Sequence, residues 1–110
     1  MIDWKHVSAL REEIGEADFE EVVPMFVEEV EAVTDQLTEE STAEALEENL
    51  HFLKGSALSL GFSTLSAMCK KGEIAVASGE RSSVDLTAIL TCYEESKQVF
   101  LDGLSQIIAA

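Results

Sequence analysis

Residues 44–62 read EALEENLHFLKGSALSLGF, and this stretch decides the fold. At roughly 100° per residue, its apolar side chains fall on one stripe, with spacings that alternate between four and three. The stripe consists of Leu46, Leu50, Leu53, Ala57 and Leu60. This spacing predicts an amphipathic helix that faces a core, with Ser41 or Thr42 as its N-cap and Gly61 as its stop.

Helical patterns lie on both sides of this stretch. The other predicted helices are residues 3–15, 18–37 and 63–79, and a last one that begins at residue 83 or 84. Asp3 and Asp18 are the expected caps of the first two, and Pro24 should kink the second or make its first turn irregular. Because no strand alternation is present, the sequence predicts an all-α fold. We expect an antiparallel four-helix bundle with a short additional N-terminal helix, forming one domain over residues 1–110.

The composition narrows the classes of function. A net charge of −15 in 110 residues repels phosphate backbones and anionic lipids, so neither nucleic acid nor membrane is an expected partner. No apolar run is long enough to span a membrane and no secretory signal is recognisable, so a cytoplasmic protein is expected. Cys69 and Cys92 form no C-x-x-C pair and are expected to be buried thiols in a reducing compartment. No spaced metal site is seen, and His6 should be a solvated surface side chain.

His51 lies about 140° from the apolar stripe and Gly55 almost opposite it, so both should face solvent. Lys54 and Gly55 follow His51 by three and four residues and are its neighbours on the helix surface. A neutral imidazole is a nucleophile that can carry a phosphoryl group, and a lysine beside it can stabilise the negative charge. Glycine costs a helix interior about 1 kcal/mol relative to alanine, but here its missing side chain would let a partner approach the ring.

Residues 49–73, NLHFLKGSALSLGFSTLSAMCKKGE, resemble the histidine phosphotransfer (HPt) family. The family's motif is a histidine followed by x-Leu-Lys-Gly-Ser, as at His51, with a cysteine and a glutamate further on, as at Cys69 and Glu73. Residues 10–37 also look like the family's first two helices. Gly72 stands where an apolar residue is commoner, which should loosen the fourth helix, and Pro24 interrupts the second.

The resemblance implies that His51 exchanges a phosphoryl group with an aspartate of a response-regulator receiver domain in a two-component phosphorelay. It implies electrostatic support from Lys54 and steric clearance from Gly55. A docking surface for the receiver would be bordered by Leu58, Phe62, Lys70 and Lys71. The resemblance further implies a monomeric phosphoryl carrier that is not an enzyme and that a histidine kinase or hybrid kinase supplies. No cofactor is expected, because the partner receiver would hold Mg²⁺.

Alternatives remain for both the function and the site. The chain could be a non-phosphorylated acidic helical adaptor that binds and blocks a receiver or a kinase. It could also be the N-terminal phosphoacceptor module of a larger chemotaxis-type kinase, although the ending SQIIAA is the ending expected of a standalone protein. Leu58 and Phe62 could be covered by the first helix, and Lys70 and Lys71 could serve solubility alone.

Overall fold

The computed structural model describes the backbone of residues 1–109 and the side chains of residues 1–104. In that part of the chain the fold consists of five α-helices and a short 3-10 helix, with one isolated β-bridge and no strand. The helices are α1 (Trp4–Ile14), α2 (Glu16–Thr34), α3 (Ala43–Leu60), α4 (Ser63–Ala77) and α5 (Leu86–Ala109), and the 3-10 helix is Arg81–Ser83. The all-α prediction is confirmed. No helix among the described residues is long and apolar enough to cross a membrane.

Two of the predicted helix caps are correct and one is wrong. The side chains of Asp3 and Thr42 each accept a backbone hydrogen bond from the first turn of α1 and α3. Asp18 lies inside the first turn of α2, because that helix already begins after Gly15, whose φ is 95°. At this position its carboxylate lies near the positive end of the helix dipole and makes no cap. Pro24 lies inside α2, which continues on both sides of it.

The connection between α4 and α5 differs from the prediction by a few residues. α4 ends at Ala77, two residues before Gly79, and the 3-10 helix occupies part of the predicted start of α5. The Asp85 side chain accepts a hydrogen bond from the Ala88 backbone N–H at 3.0 Å. α5 therefore begins at Leu86, because Asp85 satisfies a donor of its first turn.

The apolar stripe of α3 lies at the centre of the core. α3 packs most extensively on α4 and also contacts α2 and α1, while α4 packs on α5 and α1 on α2. All five residues of the stripe are at most 2% exposed, so its predicted burial is confirmed. The largest fully buried side chains elsewhere in the described core include Phe19, Leu65, Tyr93 and Phe100. Each such side chain contributes roughly 1.5–3 kcal/mol through burial.

Phe62 belongs to the core and not to the surface. The chain turns at Gly61, which has a φ of 79°, and directs Phe62 inward. The ring packs edge-on against Phe26 and Phe100, with centroids 6.4 and 5.2 Å away. Phe62 is only 2% exposed, so the prediction that it borders a docking surface is wrong.

The start of the chain is fastened to the turn between α3 and α4. The Asp3 backbone N–H donates to the Gly61 carbonyl at 2.7 Å, and the Ser63 hydroxyl donates to the Met1 carbonyl at 3.1 Å. α1 then packs on α5 through Trp4, whose ring stacks on Phe100 with centroids 6.2 Å apart. Gly103 makes room for this ring, since a Cβ at that position would overlap it.

Candidate functional site

α3 directs His51 and Gly55 outward, as the helical spacing predicts. The His51 side chain is 69% exposed, and a Cβ added at Gly55 would meet no atom within 4 Å. Leu50 and Leu53, beside them in the sequence, are fully buried. The predicted exposure of His51 and Gly55 is confirmed, because the same helix buries one face and leaves the imidazole on the other.

Glu73 of α4 holds the imidazole from the neighbouring helix. Its Oε1 lies 2.9 Å from Nδ1 of His51, and its Oε2 lies 2.9 Å from Nζ of Lys54. One carboxylate therefore binds two residues of α3. The Ser66 hydroxyl, two turns earlier on α4, donates to the Lys54 backbone carbonyl at 3.3 Å and adds a further link between the two helices.

The charge on Glu73 decides which nitrogen of His51 carries the proton. The Lys54 ammonium lowers the pKa of the Glu73 carboxyl below its ordinary value of 4.5, partial burial opposes this effect, and the His51 hydrogen bond lowers the pKa further. Glu73 is thus a carboxylate at neutral pH and can only accept hydrogen bonds. Nδ1 must donate, so in the neutral ring Nε2 keeps its lone pair. Nε2 makes no hydrogen bond with the described residues.

Glu73 is the site residue to which the sequence analysis gave no role. In the sequence Glu73 is recognisable only as part of the motif, because helical spacing along α3 says nothing about which residue of α4 faces His51. One signal was present: residues 51–72 contain no acid, and Glu73 is the first to follow them. Because Glu73 is the first acid after His51 and Lys54, it is the carboxylate that could have been predicted to pair with them.

Two exposed apolar side chains follow His51 in the sequence. Leu58 is 64% exposed, so α1 does not cover it, and it keeps its predicted place on the outer face of α3. Phe52 is 45% exposed and was not predicted. Together with the bare backbone at Gly55, these side chains form an apolar surface around the imidazole, which is typical of a protein-binding site.

The two lysines of α4 lie on different sides of the helix. Lys70 follows Ser66 by four residues and precedes Glu73 by three, so it lies on the side of α4 that meets α3. Lys71 lies about 100° further round and lines a groove of about 550 Å³ between α4 and the start of α5. Lys70 is therefore the closer of the two to the Glu73 side of α4, and the docking role of both lysines stays a prediction.

His6 has a structural partner. Its Nε2 lies 2.8 Å from the Ser59 backbone carbonyl and donates to it, which ties α1 to the end of α3. The side chain is exposed, as predicted, and this bond gives it a structural contact as well. Because this bond engages Nε2 of His6, the two histidines differ: Nε2 of His51 is the one left open.

The thiols are unsuited to nucleophilic chemistry. Cys69 and Cys92 are buried and unpaired, as predicted, and burial raises the pKa of the Cys69 thiol to about 12. A thiol with such a pKa stays protonated at neutral pH and is a poor nucleophile. Among the described residues, no group of three or more His, Cys, Asp or Glu could hold a metal ion.

Fold and site together define an all-helical protein that carries an exposed histidine oriented by a carboxylate. The family model for the Hpt domain matches residues 5–109, so the chain belongs to the Hpt domain family. Comparison with curated proteins gave no significant match, and comparison with solved structures gave none either. Membership confirms the resemblance and implies a phosphotransfer role in two-component phosphorelays, in which Hpt domains interact with receiver domains and kinases.

Proposed function

We propose that this chain is a cytoplasmic phosphoryl carrier that accepts a phosphoryl group on Nε2 of His51 and donates it again. The observation that carries the proposal is the hydrogen bond from Nδ1 of His51 to Glu73. This bond fixes the ring and leaves the lone pair of Nε2 directed away from the acid. The groups that donate the phosphoryl group to His51 and accept it from His51 are aspartates of response-regulator receiver domains.

The exchange is a direct displacement at phosphorus. The Nε2 lone pair attacks the phosphorus of a receiver's aspartyl phosphate, an N–P bond forms, and the P–O bond breaks with its electron pair leaving on the aspartate. The ring then carries a positive charge while Nδ1 keeps its proton. The Glu73 carboxylate, hydrogen-bonded at Nδ1, offsets that charge. The reverse reaction returns the phosphoryl group to a receiver.

Lys54 and Gly55 support the reaction in different ways. The Lys54 ammonium lies one helical turn from His51 and has donors left beside the one directed at Glu73, so it can offset the charge of the phosphoryl oxygens. Gly55 presents no side chain to the open space next to the ring, so the receiver's active site can approach in line.

The proposal assigns the rest of the apparatus to partners. The receiver holds the Mg²⁺, a histidine kinase or hybrid kinase is the source of phosphate, and this chain is not itself an enzyme. Docking would use the apolar surface formed by Phe52, Gly55 and Leu58, with Lys70 at its edge. That surface must stay open to the receiver, which favours a monomer.

We also propose how the helices carry the site. The contacts of α3 with α2 and α4, and of α4 with α5, support an antiparallel four-helix bundle with α1 as the additional helix. The whole chain, residues 1–110, would be a single domain, although Ala110 lies outside the described residues.

Phosphotransfer to His51→Gln tests the proposal. The protein is mixed with several phosphorylated receiver domains and the label is followed into wild type, His51→Gln and the matched control His6→Gln. We expect label in wild type and His6→Gln and none in His51→Gln, lost in acid and kept in base. Nuclear magnetic resonance of the labelled protein should place the phosphoryl group on Nε2.

Two other outcomes would contradict the proposal. Label on His51→Gln would place the acceptor elsewhere. Binding of receivers without transfer, equal in wild type and His51→Gln, would instead identify the chain as an adaptor that blocks its partner.

A further inference from the structure

Gly72 lies where α4 packs tightly on α3. It is buried, and a Cβ added to it would lie 3.2 Å from Leu50 Cδ1 and 3.4 Å from Val84 Cγ1. The first separation is tighter than nine in ten real Cβ contacts, and Leu50 is fully buried in a close-packed core. The expectation that Gly72 loosens α4 is therefore wrong: the missing side chain lets the two helices approach.

The tight contact between Gly72 and Leu50 lies next to the site in both helices. Leu50 immediately precedes His51, and Gly72 immediately precedes Glu73, so the packed pair adjoins the hydrogen-bonded pair. Ser66 and Cys69 precede Gly72 at intervals of three residues on α4 and are also small and buried. A Cβ at position 72 would shift its neighbours by a few tenths of an ångström, and a helix transmits such a shift to the next residue.

We propose that Gly72 is a positioning residue for the phosphoacceptor. Its missing side chain sets the separation of α3 and α4 at which Glu73 reaches Nδ1 of His51 and holds the neutral ring in the Nδ1–H tautomer. The consequence for phosphotransfer rests on the function proposed above for His51, whereas the consequence for the tautomer does not.

The test is the tautomer of His51 in Gly72→Ala, which is measured on the protein alone. The ¹⁵N chemical shifts of the His51 ring nitrogens report which one carries the proton. We expect the Nδ1–H tautomer to predominate in the wild type and a mixture of both tautomers in Gly72→Ala. Transfer from a phosphorylated receiver should slow roughly three- to tenfold, because displacements well below 1 Å already slow a positioned reaction.

Two further variants separate positioning from other effects. Gly55→Ala makes the same chemical change on α3, four residues from His51, but in open space, so it should leave the tautomer unchanged even where it hinders a receiver. Gly72→Ala/Leu50→Val removes the Leu50 methyl that the new Cβ would meet, and it should restore the Nδ1–H tautomer. A general loss of packing would not be rescued by making the core smaller.

The outcomes are distinct. A wild-type tautomer in Gly72→Ala would overturn the proposal, and so would a double variant in which the tautomers stay mixed. If Gly72→Ala loses its helical circular dichroism signal, its tautomer cannot be interpreted. The tautomer of the double variant then decides the proposal. A wild type that takes no phosphate from any receiver, but whose tautomer changes in Gly72→Ala, would refute the proposed function and leave the positioning role in place.

Discussion

Glu73 and Glu31 each link two helices through a pair of side chains, and only Glu73 holds the proposed phosphoacceptor. Glu73 joins α4 to α3 by a hydrogen bond from Nδ1 of His51 and an ion pair with Lys54. Glu31 joins α2 to α5 by accepting from the Tyr93 hydroxyl at 3.0 Å and from Lys97 at 2.6 Å. In both places the lysine is the largest cause of a lowered carboxyl pKa, and the second donor lowers that pKa further.

The two links differ in their second donor, which is Tyr93 for Glu31 and His51 for Glu73. Only His51 has a further polar atom that the carboxylate does not bind. Tyr93 is 2% exposed, and its hydroxyl, the one polar atom of the side chain, is bound to Glu31. Burial, and to a smaller extent the contact with Glu31, raises the pKa of this hydroxyl far above the usual phenol value. His51 is largely exposed and has a second nitrogen that the carboxylate does not touch. The Glu31 link therefore leaves no polar side-chain atom of Tyr93 open, whereas the Glu73 link leaves Nε2 of His51 open to solvent.

The largest expected effect is on phosphotransfer by Glu73→Ala. At metal-bound histidines, loss of the carboxylate that orients the ring typically costs about 10- to 100-fold, and Glu73 orients His51 in the same way. We expect a decrease of that size in the transfer rate from a phosphorylated receiver. The matched variant Glu31→Ala breaks the other link and should transfer at the wild-type rate. Equal rates in the two variants would remove the distinction between the links.

Stability should show the reverse order. Tyr93→Phe removes a hydrogen bond from a buried hydroxyl and should lower the free energy of unfolding by about 0.5–1.5 kcal/mol. His51→Gln changes an exposed side chain and should alter it by less than about 0.5 kcal/mol. Urea unfolding followed by circular dichroism at neutral pH measures both. A larger loss in His51→Gln than in Tyr93→Phe would mean that the site contributes more to folding than the structural link does.

The smallest effect is the pH dependence that the two links share. Because the folded pKa of each carboxyl lies below its ordinary value of 4.5, each contributes stability above that value and loses it as the pH falls through the folded pKa. The difference in unfolding free energy between wild type and Glu73→Ala should therefore shrink between neutral pH and about pH 3. Glu31→Ala should behave alike. A difference that stays constant over this range would show that the folded pKa is not lowered.

The predictions that the structure confirms mostly depend on one helix at a time. The spacing in α3 predicted the buried stripe, the exposure of His51 and the open face at Gly55, and the short polar residues predicted the caps at Asp3 and Thr42. These features follow from helical periodicity and from local hydrogen bonding, which need no knowledge of neighbouring elements.

Contacts between helices were beyond this reach. The role of Glu73 depends on the register of α4 against α3, and the burial of Phe62 depends on the backbone direction at Gly61. Each of these features is set by tertiary packing, and a single sequence does not show which residues of different helices come into contact.

Trp4 provides the molecule with its own optical reporter. It is the one tryptophan of the chain, and its ring packs on Phe100 and Gly103 in α5, while the side chains of the site around His51 come from α3 and α4. Its fluorescence should therefore follow the docking of α1 and the integrity of the fold, while substitutions at His51, Lys54 or Glu73 should leave its surroundings unchanged. Folding and chemistry can be recorded on the same sample by independent signals.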